Sequence, residues 1–231
     1  MAATTANRMQ SDMIKGMPDP ISRSPLAALR HNASAWLIDL ITTPAAKIRG
    51  QVLQHARGRV ADIGIGGGGS LRHYPADVTE VHGIEPDPAE WLLRRRAGKL
   101  HEGIQFELVS ASAEALPYED HSLDTVTFQL VLCTIPDPVA ALSEARRVLK
   151  PDGRLLFMEH LRHPDERVAR FQDRLQPLWG RIAGGCRINQ DTVTLLEQAG
   201  FDFAWKEHVV DRQRPRFLSH LAWGMATPLL R

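Results

Sequence analysis

The stretch RVADIGIGGGGSLRHYP, Arg59 to Pro75, decides how the rest of the chain is read. A short apolar run, Arg59–Ile63, leads into Gly64, and four successive glycines follow at Gly66 to Gly69. Glycine weakens the interior of a strand or helix by roughly 0.5–1 kcal/mol, so such a run is kept where bare backbone has a use. Between a strand and a helical stretch, that use is close approach of a ligand to unshielded amides. Taken alone the signal is weak, because many nucleotide-binding α/β sheets share it and a plain tight turn also explains it.

The residues downstream discriminate. A second apolar run, Glu80–Ile84, ends at Glu85, 19 residues past Gly66. An acidic residue at that strand end suits the two hydroxyls of a ribose. The pattern departs from a dinucleotide site in two ways. The glycines stand at Gly64, Gly66, Gly67 and Gly68 rather than in strict GxGxxG spacing, and Asp62 precedes them. A carboxylate there repels phosphate; it accepts bonds from water or amide groups, or attracts a cationic amino acid moiety.

From Arg59 onward the chain alternates short apolar runs with helical patterns, the sign of an α/β fold with a parallel sheet wrapped by helices. Strands are predicted near 59–63, 80–84, 104–109, 124–129, 154–159, 201–208 and 217–225. Helices are predicted near 69–74, 88–98, 112–115, 138–148, 165–182 and 190–199. The last two strands flank the loop at 209–216 and suit an antiparallel hairpin at the sheet edge. Upstream, Leu26, Leu29, Ala33, Trp36, Leu37, Leu40 and Ile41 recur with helical spacing. After Pro44, Ile48, Val52 and Leu53 suggest another helix. These helices either cover the sheet or form a lid over a substrate pocket. Residues 1–24 read as a flexible N-terminal arm, and 25–231 as a single domain whose first part, 25–57, is a helical cap.

At 231 residues, 43% hydrophobic and 24% charged, the chain suits a soluble globular protein. The 28 basic and 27 acidic residues leave a net charge of +1, so overall charge gives no case for a nucleic-acid partner. Two cysteines, Cys133 and Cys186, lie far apart without CxxC spacing; no metal site is expected, and a reducing cytoplasm is the expected location. The N-terminus lacks the apolar core of a secretory signal, and no apolar run approaches the ~18 residues of a membrane span, so no transmembrane segment is expected.

The motifs DIGIGGG (62–68), GIEPD (83–87), ASAEALPYEDHSLDTV (111–126), QLVLCTIPDP (129–138) and EARRVLKPDGRLLFMEH (144–160) together resemble, in order, the class I S-adenosylmethionine-dependent methyltransferases. The resemblance implies a Rossmann-like, seven-stranded, mostly parallel sheet with helices on both faces, an antiparallel edge strand and an N-terminal helical cap. It implies S-adenosyl-L-methionine as cofactor, leaving as S-adenosyl-L-homocysteine. The cofactor-binding residues carried over are Asp62, Gly64, Gly66, Gly68, Glu85, Pro86, Ser112, Ala113, Glu114 and Leu130. Ser112 stands where many relatives place an aspartate against the adenine amino group, which leaves the Ser112 hydroxyl, the Ala113 amide or Glu114 for that contact.

Further stretches, SLRHYP (70–75), FMEH (157–160), QPLWGRIAGGCRINQDTVTLLEQAGF (176–201) and RPRFLSHLAWGMA (214–226), resemble the alkyl-thiol methyltransferase, or microsomal methyltransferase-like, branch and its bacterial relatives. The chain lacks the apolar N-terminal anchor of the animal enzymes, so membrane attachment is not carried over. The implied reaction is methyl transfer to a small, fairly apolar acceptor, with a thiol as the lead. N-, O- or C-methylation of a natural-product, quinone or phospholipid acceptor is the alternative, and a cofactor-binding module acting through partners is the non-enzymatic one. On the acceptor side, His160 follows a strand and suits a general base or a histidine bonded to a neighbouring loop. Glu159 is expected as a structural partner of that loop. Trp36, Cys133, Trp179 and Arg187 are the candidate acceptor-binding residues, with core packing as the competing role for the tryptophans and a small buried thiol packed against the cofactor as that for Cys133. The oligomeric state stays open.

Overall fold

The computed structural model describes residues 46–88, 90–211 and 214–229. The predicted N-terminal arm, most of the helical cap and Trp36 lie outside the described residues. The described chain starts at α1 (Ala46–Leu53) and runs through β1 (Gly58–Ile63), β2 (Val78–Ile84), α2 (Glu90–Ala97) and β3 (Gln105–Val109). It continues with β4 (Leu123–Gln129), α3 (Pro138–Val148), β5 (Leu149–His160), α4 (Glu166–Ile182) and α5 (Thr192–Gln198), and ends in β6 (Phe201–Val210) and β7 (His220–Pro228).

The seven strands form one sheet in the order β3-β2-β1-β4-β5-β7-β6. The first five are mutually parallel, and β7 runs antiparallel to both β5 and β6. The expected hairpin therefore forms the edge, with its reversed strand, β7, one position in from the outermost strand. The order reverses between β1 and β4, where successive connections leave toward opposite faces. A crevice opens beyond the carboxyl ends of the strands at such a switch point.

Successive side chains in a strand point to opposite faces, and apolar residues here occupy both. Val60, Leu156, Met158 and Leu221 pack with Val52 and Leu53 of α1 and with Leu71, Tyr74 and Leu93. Ala61, Ile63, Leu155 and Phe157 pack on the other face with Ala141, Leu142, Ala145 and Val148 of α3 and with Leu196 of α5. The helices start where the sequence supplies caps. Asp137 accepts from the Val139 and Ala140 amides ahead of α3, Asp165 from the Arg167 amide ahead of α4, and Asp191 from the Thr194 amide ahead of α5. Each cap contributes about 1 kcal/mol.

Two predicted helices shrink. Residues 69–74 hold only a 3-10 turn at Leu71–His73, because glycines precede it and Pro75 ends it. Residues 112–115 form a turn, too short to nucleate a helix. Strand β5 starts earlier than expected. Leu123 pairs with Leu149 but Thr125 with Arg154, so the 150–153 turn is accommodated as an irregularity within β5.

Candidate active site

A cavity of about 560 Å³ sits over the switch point, within the size range of small-molecule sites. Its walls are the loop after β1 (Gly64–Gly67, Gly69, Ser70), Glu85–Asp87 after β2, and Ala111–Glu114 after β3. The loop after β4 contributes Gln129–Val131 and Thr134–Pro136, and Arg49 of α1 and Gly184 complete the wall.

The glycine loop is shaped by positions that only glycine fills at low cost. Gly64 has φ +63°, and a Cβ there would lie 2.1 Å from Val131 Cγ2. Gly66 has φ +51°, but a Cβ there would meet nothing closer than the Gly64 carbonyl oxygen at 3.8 Å. The Gly64 amide donates to the Ile84 carbonyl at 2.8 Å, and the Gly66 amide donates to Glu85 Oε2 at 3.2 Å. Arg96 of α2 holds the loop from behind by donating to the Gly67 carbonyl at 2.7 Å. Gly68 differs from the expectation: it faces away from the cavity, and a Cβ there would press on Leu93 Cδ2 at 2.9 Å. Its bare backbone allows α2 to pack closely and leaves no surface for a ligand.

Asp62, 1% exposed, accepts a short hydrogen bond from the Ser70 hydroxyl. Burial pushes its carboxyl up to about 6, against the lowering effects of Ser70 and of the Arg49 charge. Arg49 faces the same space, and its Nε is buried without a hydrogen-bond partner. Gln129 donates to Thr127 Oγ1 at 3.1 Å and leaves its own Oε1 buried and unpartnered. Buried polar atoms without partners are uncommon in folded proteins, and two in one cavity fit a polar ligand. Burial also raises the Glu85 carboxyl, with the Gly66 amide opposing. Leu130 carries φ +62° while lining the cavity, and its amide donates to the Met158 carbonyl at 2.7 Å. A non-glycine residue in that region costs about 1–3 kcal/mol, a strain concentrated at functional sites. The Ser112 hydroxyl bonds Glu114 Oε2, and Glu114 Oε1 accepts from the Asp137 amide at 3.3 Å, tying this wall to the start of α3.

The sequence-predicted cofactor residues Asp62, Gly64, Gly66, Glu85, Pro86, Ser112, Ala113, Glu114 and Leu130 thus surround one space. The acceptor-side candidates do not. His160 lies outside the lining residues. His160 is half-buried with Nδ1 buried and unpartnered, and burial with the Arg214 charge pushes it down to about 4, so it is neutral at pH 7. Glu159 braces the cavity wall as expected: its Oε1 accepts from the Val131 amide at 2.8 Å and the Leu132 amide at 3.0 Å. Its other oxygen is buried and unpartnered, and burial pushes the carboxyl up to about 8.

Cys133, Trp179 and Arg187 gather behind this wall without lining the cavity. Cys133 is buried, with its sulfur 3.5 Å from that of Cys186. The Arg187 guanidinium is occupied by the carbonyls of Leu132, Ile135 and Pro136 and by Gln190 Oε1. Trp179 stacks edgewise on Phe217. Among the described residues no group of three or more His, Cys, Asp or Glu side chains is placed to hold a metal ion. Sequence reasoning missed Arg49, Gln129 and Arg96. Gln129 carried a legible signal, a polar residue ending an apolar strand; Arg49 reaches the site only through the way α1 packs on the sheet.

A methyltransferase domain family matches residues 61–157, from β1 through most of β5. Human thiol S-methyltransferase TMT1B is 34% identical over 170 residues, covering 71% of this chain and 67% of that protein. The ubiquinone/menaquinone biosynthesis C-methyltransferase UbiE of Hahella chejuensis is 35% identical over 116 residues, covering 42% of this chain and 47% of that protein. A SAM-dependent methyltransferase structure from Thermotoga maritima has the same fold at TM-score 0.59 and 20% identity, covering 84% of this chain and 93% of that one. The chain spans 58 to 67% of the length of the thiol S-methyltransferases it matches. Fold, switch-point cavity and shared sequence agree: the chain belongs to the S-adenosylmethionine-dependent methyltransferase family, alongside the thiol S-methyltransferases.

Proposed function

We propose that this chain transfers the methyl group of S-adenosyl-L-methionine to a small, fairly apolar acceptor, with a thiol sulfur as the receiving atom. The observation that carries the reading is one cavity whose lining combines the polar side chains Asp62, Glu85, Arg49 and Gln129 with the apolar Val131, Ile135 and Pro136. The similarity to a thiol S-methyltransferase supports the sulfur acceptor.

The cofactor supplies a methyl carbon on a positively charged sulfur. Glu85, fixed by the Gly66 amide, would accept from the ribose hydroxyls. Arg49 would meet the amino acid carboxylate, while Asp62 and the unpartnered Gln129 oxygen would accept from its ammonium group. Pro86, Leu130, Ala113, Ser112 and Glu114 would hold the adenosine. Beside Val131, Ile135 and Pro136 the chain would exclude water and align the acceptor for displacement, an effect that supplies a large part of such a reaction's rate. With His160 outside the lining and neutral, no imidazole of the described residues lines the cavity to take the acceptor proton. A free thiol has a pKa near ~8.5, so part of it is already thiolate at neutral pH and capture of that form suffices.

Residues 25–231 form the proposed catalytic domain, with a cytoplasmic location and a small-molecule acceptor rather than a nucleic acid. No helix among the described residues is long and apolar enough to cross a membrane. The similarity to UbiE supports carbon methylation as the second reading. The test incubates the purified full chain with labelled cofactor and a panel of thiols, phenols, amines and quinols, identifying products by mass. The expected product is a methyl thioether. Product from another class alone rejects the sulfur acceptor. Cofactor binding without any product points to a binding module, and absence of binding rejects methyl transfer altogether.

A further inference from the structure

The Cys133–Cys186 pair is unused by the reaction above, yet it joins two loops that line the cavity. Cys133 falls between Val131 and Thr134, both of which line the cavity; Cys186 falls two residues after Gly184, which also lines it. We propose that Cys133 and Cys186 are a redox modification site, oxidised by small-molecule disulfides to one intramolecular bond that draws these loops together and slows acceptor turnover. The proposal holds whatever the acceptor atom is.

Three observations carry it. The sulfurs are 3.5 Å apart, and a disulfide bond measures about 2.05 Å, so closure asks for roughly 1.5 Å of movement. The loops are already docked: the Arg187 amide donates to the Cys133 carbonyl at 2.8 Å, and its guanidinium bonds three carbonyls of residues 132–136. Slack exists on one side, because Gly184 and Gly185 have φ +61° and +89°, and nothing lies within 4 Å of a Cβ built at Gly184. A metal site is the weaker reading, since no third ligand joins the pair among the described residues.

The two thiols differ in a way that sets the order of events. Cys186 is half-buried, and the neighbouring Cys133, with Trp179 and the Arg187 charge, brings its thiol down to about 7 against the effect of burial. Cys133 is buried and its thiol is pushed up by Cys186 and by desolvation. The Cys186 thiolate attacks a sulfur of RS–SR, forming a mixed disulfide and expelling one thiolate. Cys133 then loses its proton and attacks the Cys186 sulfur, expelling the second. The protein loses two electrons and two protons, and RS–SR becomes two RSH. A dithiol reductant reverses the step.

The experiment treats the full chain with oxidised glutathione and reads intact mass, peptide map, free-thiol count and kinetics. Expected are the loss of two hydrogens, a linked 133/186 peptide and about a tenfold fall in acceptor kcat/KM, in keeping with the sensitivity of transfer to ~1 Å misplacement. Dithiothreitol restores the rate. Cys133→Ser, with Cys133→Ala as a second variant, accumulates a mixed disulfide on Cys186; Cys186→Ser gives no adduct. Two free thiols after oxidation, adducts on both cysteines without a bond, or a bond with unchanged kinetics each overturn the proposal. The mass and thiol readouts need no turnover, so they stand even if the acceptor reading fails.

Discussion

Gly64 and Gly66 look alike in sequence, but the structure makes their alanine variants behave differently. Both residues have positive φ, so each substitution carries the left-handed penalty of an L-residue, about 1–2 kcal/mol. At Gly66 the added methyl meets only the Gly64 carbonyl oxygen at 3.8 Å, so that penalty is the whole effect on folding. At Gly64 the methyl would lie 2.1 Å from Val131 Cγ2, and Val131 is held through its amide by buried Glu159. Overpacking of this kind adds about 1–3 kcal/mol, giving a total of roughly 2–5 kcal/mol for Gly64→Ala. The Gly66→Ala methyl instead projects toward the cavity where the cofactor is proposed to lie. It should cost about tenfold in cofactor affinity, or ~1.4 kcal/mol, while leaving most of the fold's stability. Urea unfolding gives the first quantity, and calorimetry with S-adenosylhomocysteine gives the second. If Gly66→Ala destabilises the chain more than Gly64→Ala, or binds cofactor as tightly as the parent, the loop does not work as described.

Glu85→Ala and Arg49→Met are each expected to weaken cofactor binding by tenfold or more, since a polar ligand group loses its charged partner; calorimetric affinity equal to the parent's removes that residue from the cofactor site. Glu159→Gln tests the buried carboxyl at the cavity wall. Its folded pKa, about 8, is raised, so the native state holds the proton more tightly than the unfolded chain. Its contribution to stability is full below the ordinary carboxyl range and is lost as pH rises through about 8. The stability of the parent relative to Glu159→Gln should therefore fall by up to ~1.4 kcal/mol per unit across that window, measured by denaturant unfolding. Asp62 and His160 titrate in both proteins and drop out of the difference; parallel profiles refute the assignment.

Much of the fold was legible because its signals are local. The apolar runs of β1, β2 and β4 and the glycine loop each follow from a few neighbouring residues. The helix predicted at 112–115 failed for a local reason as well: four residues after a strand cannot repay helix nucleation. That Asp62, Gly64, Gly66 and Glu85 meet in one cavity follows from the same cause, since they lie at strand ends whose order fixes their meeting. The acceptor side was not legible. Cys133, Arg187 and His160 stand at the ends of strands or after turns that suggest a site, and Trp179 lies within α4, but which face each side chain takes is decided by pairing and packing.

The sequence by itself determined an α/β sheet with an acid at a strand end nineteen residues after the second cavity-lining glycine, because strand periodicity and backbone freedom are properties of adjacent residues. Only the tertiary structure decided that Gly68 serves α2 packing and that His160 stays out of the cavity lining. It also placed Arg49 in the cavity wall and Cys133 against Cys186. Those outcomes depend on contacts between segments far apart in the chain, whose geometry exists only once the sheet has been assembled and both of its faces covered.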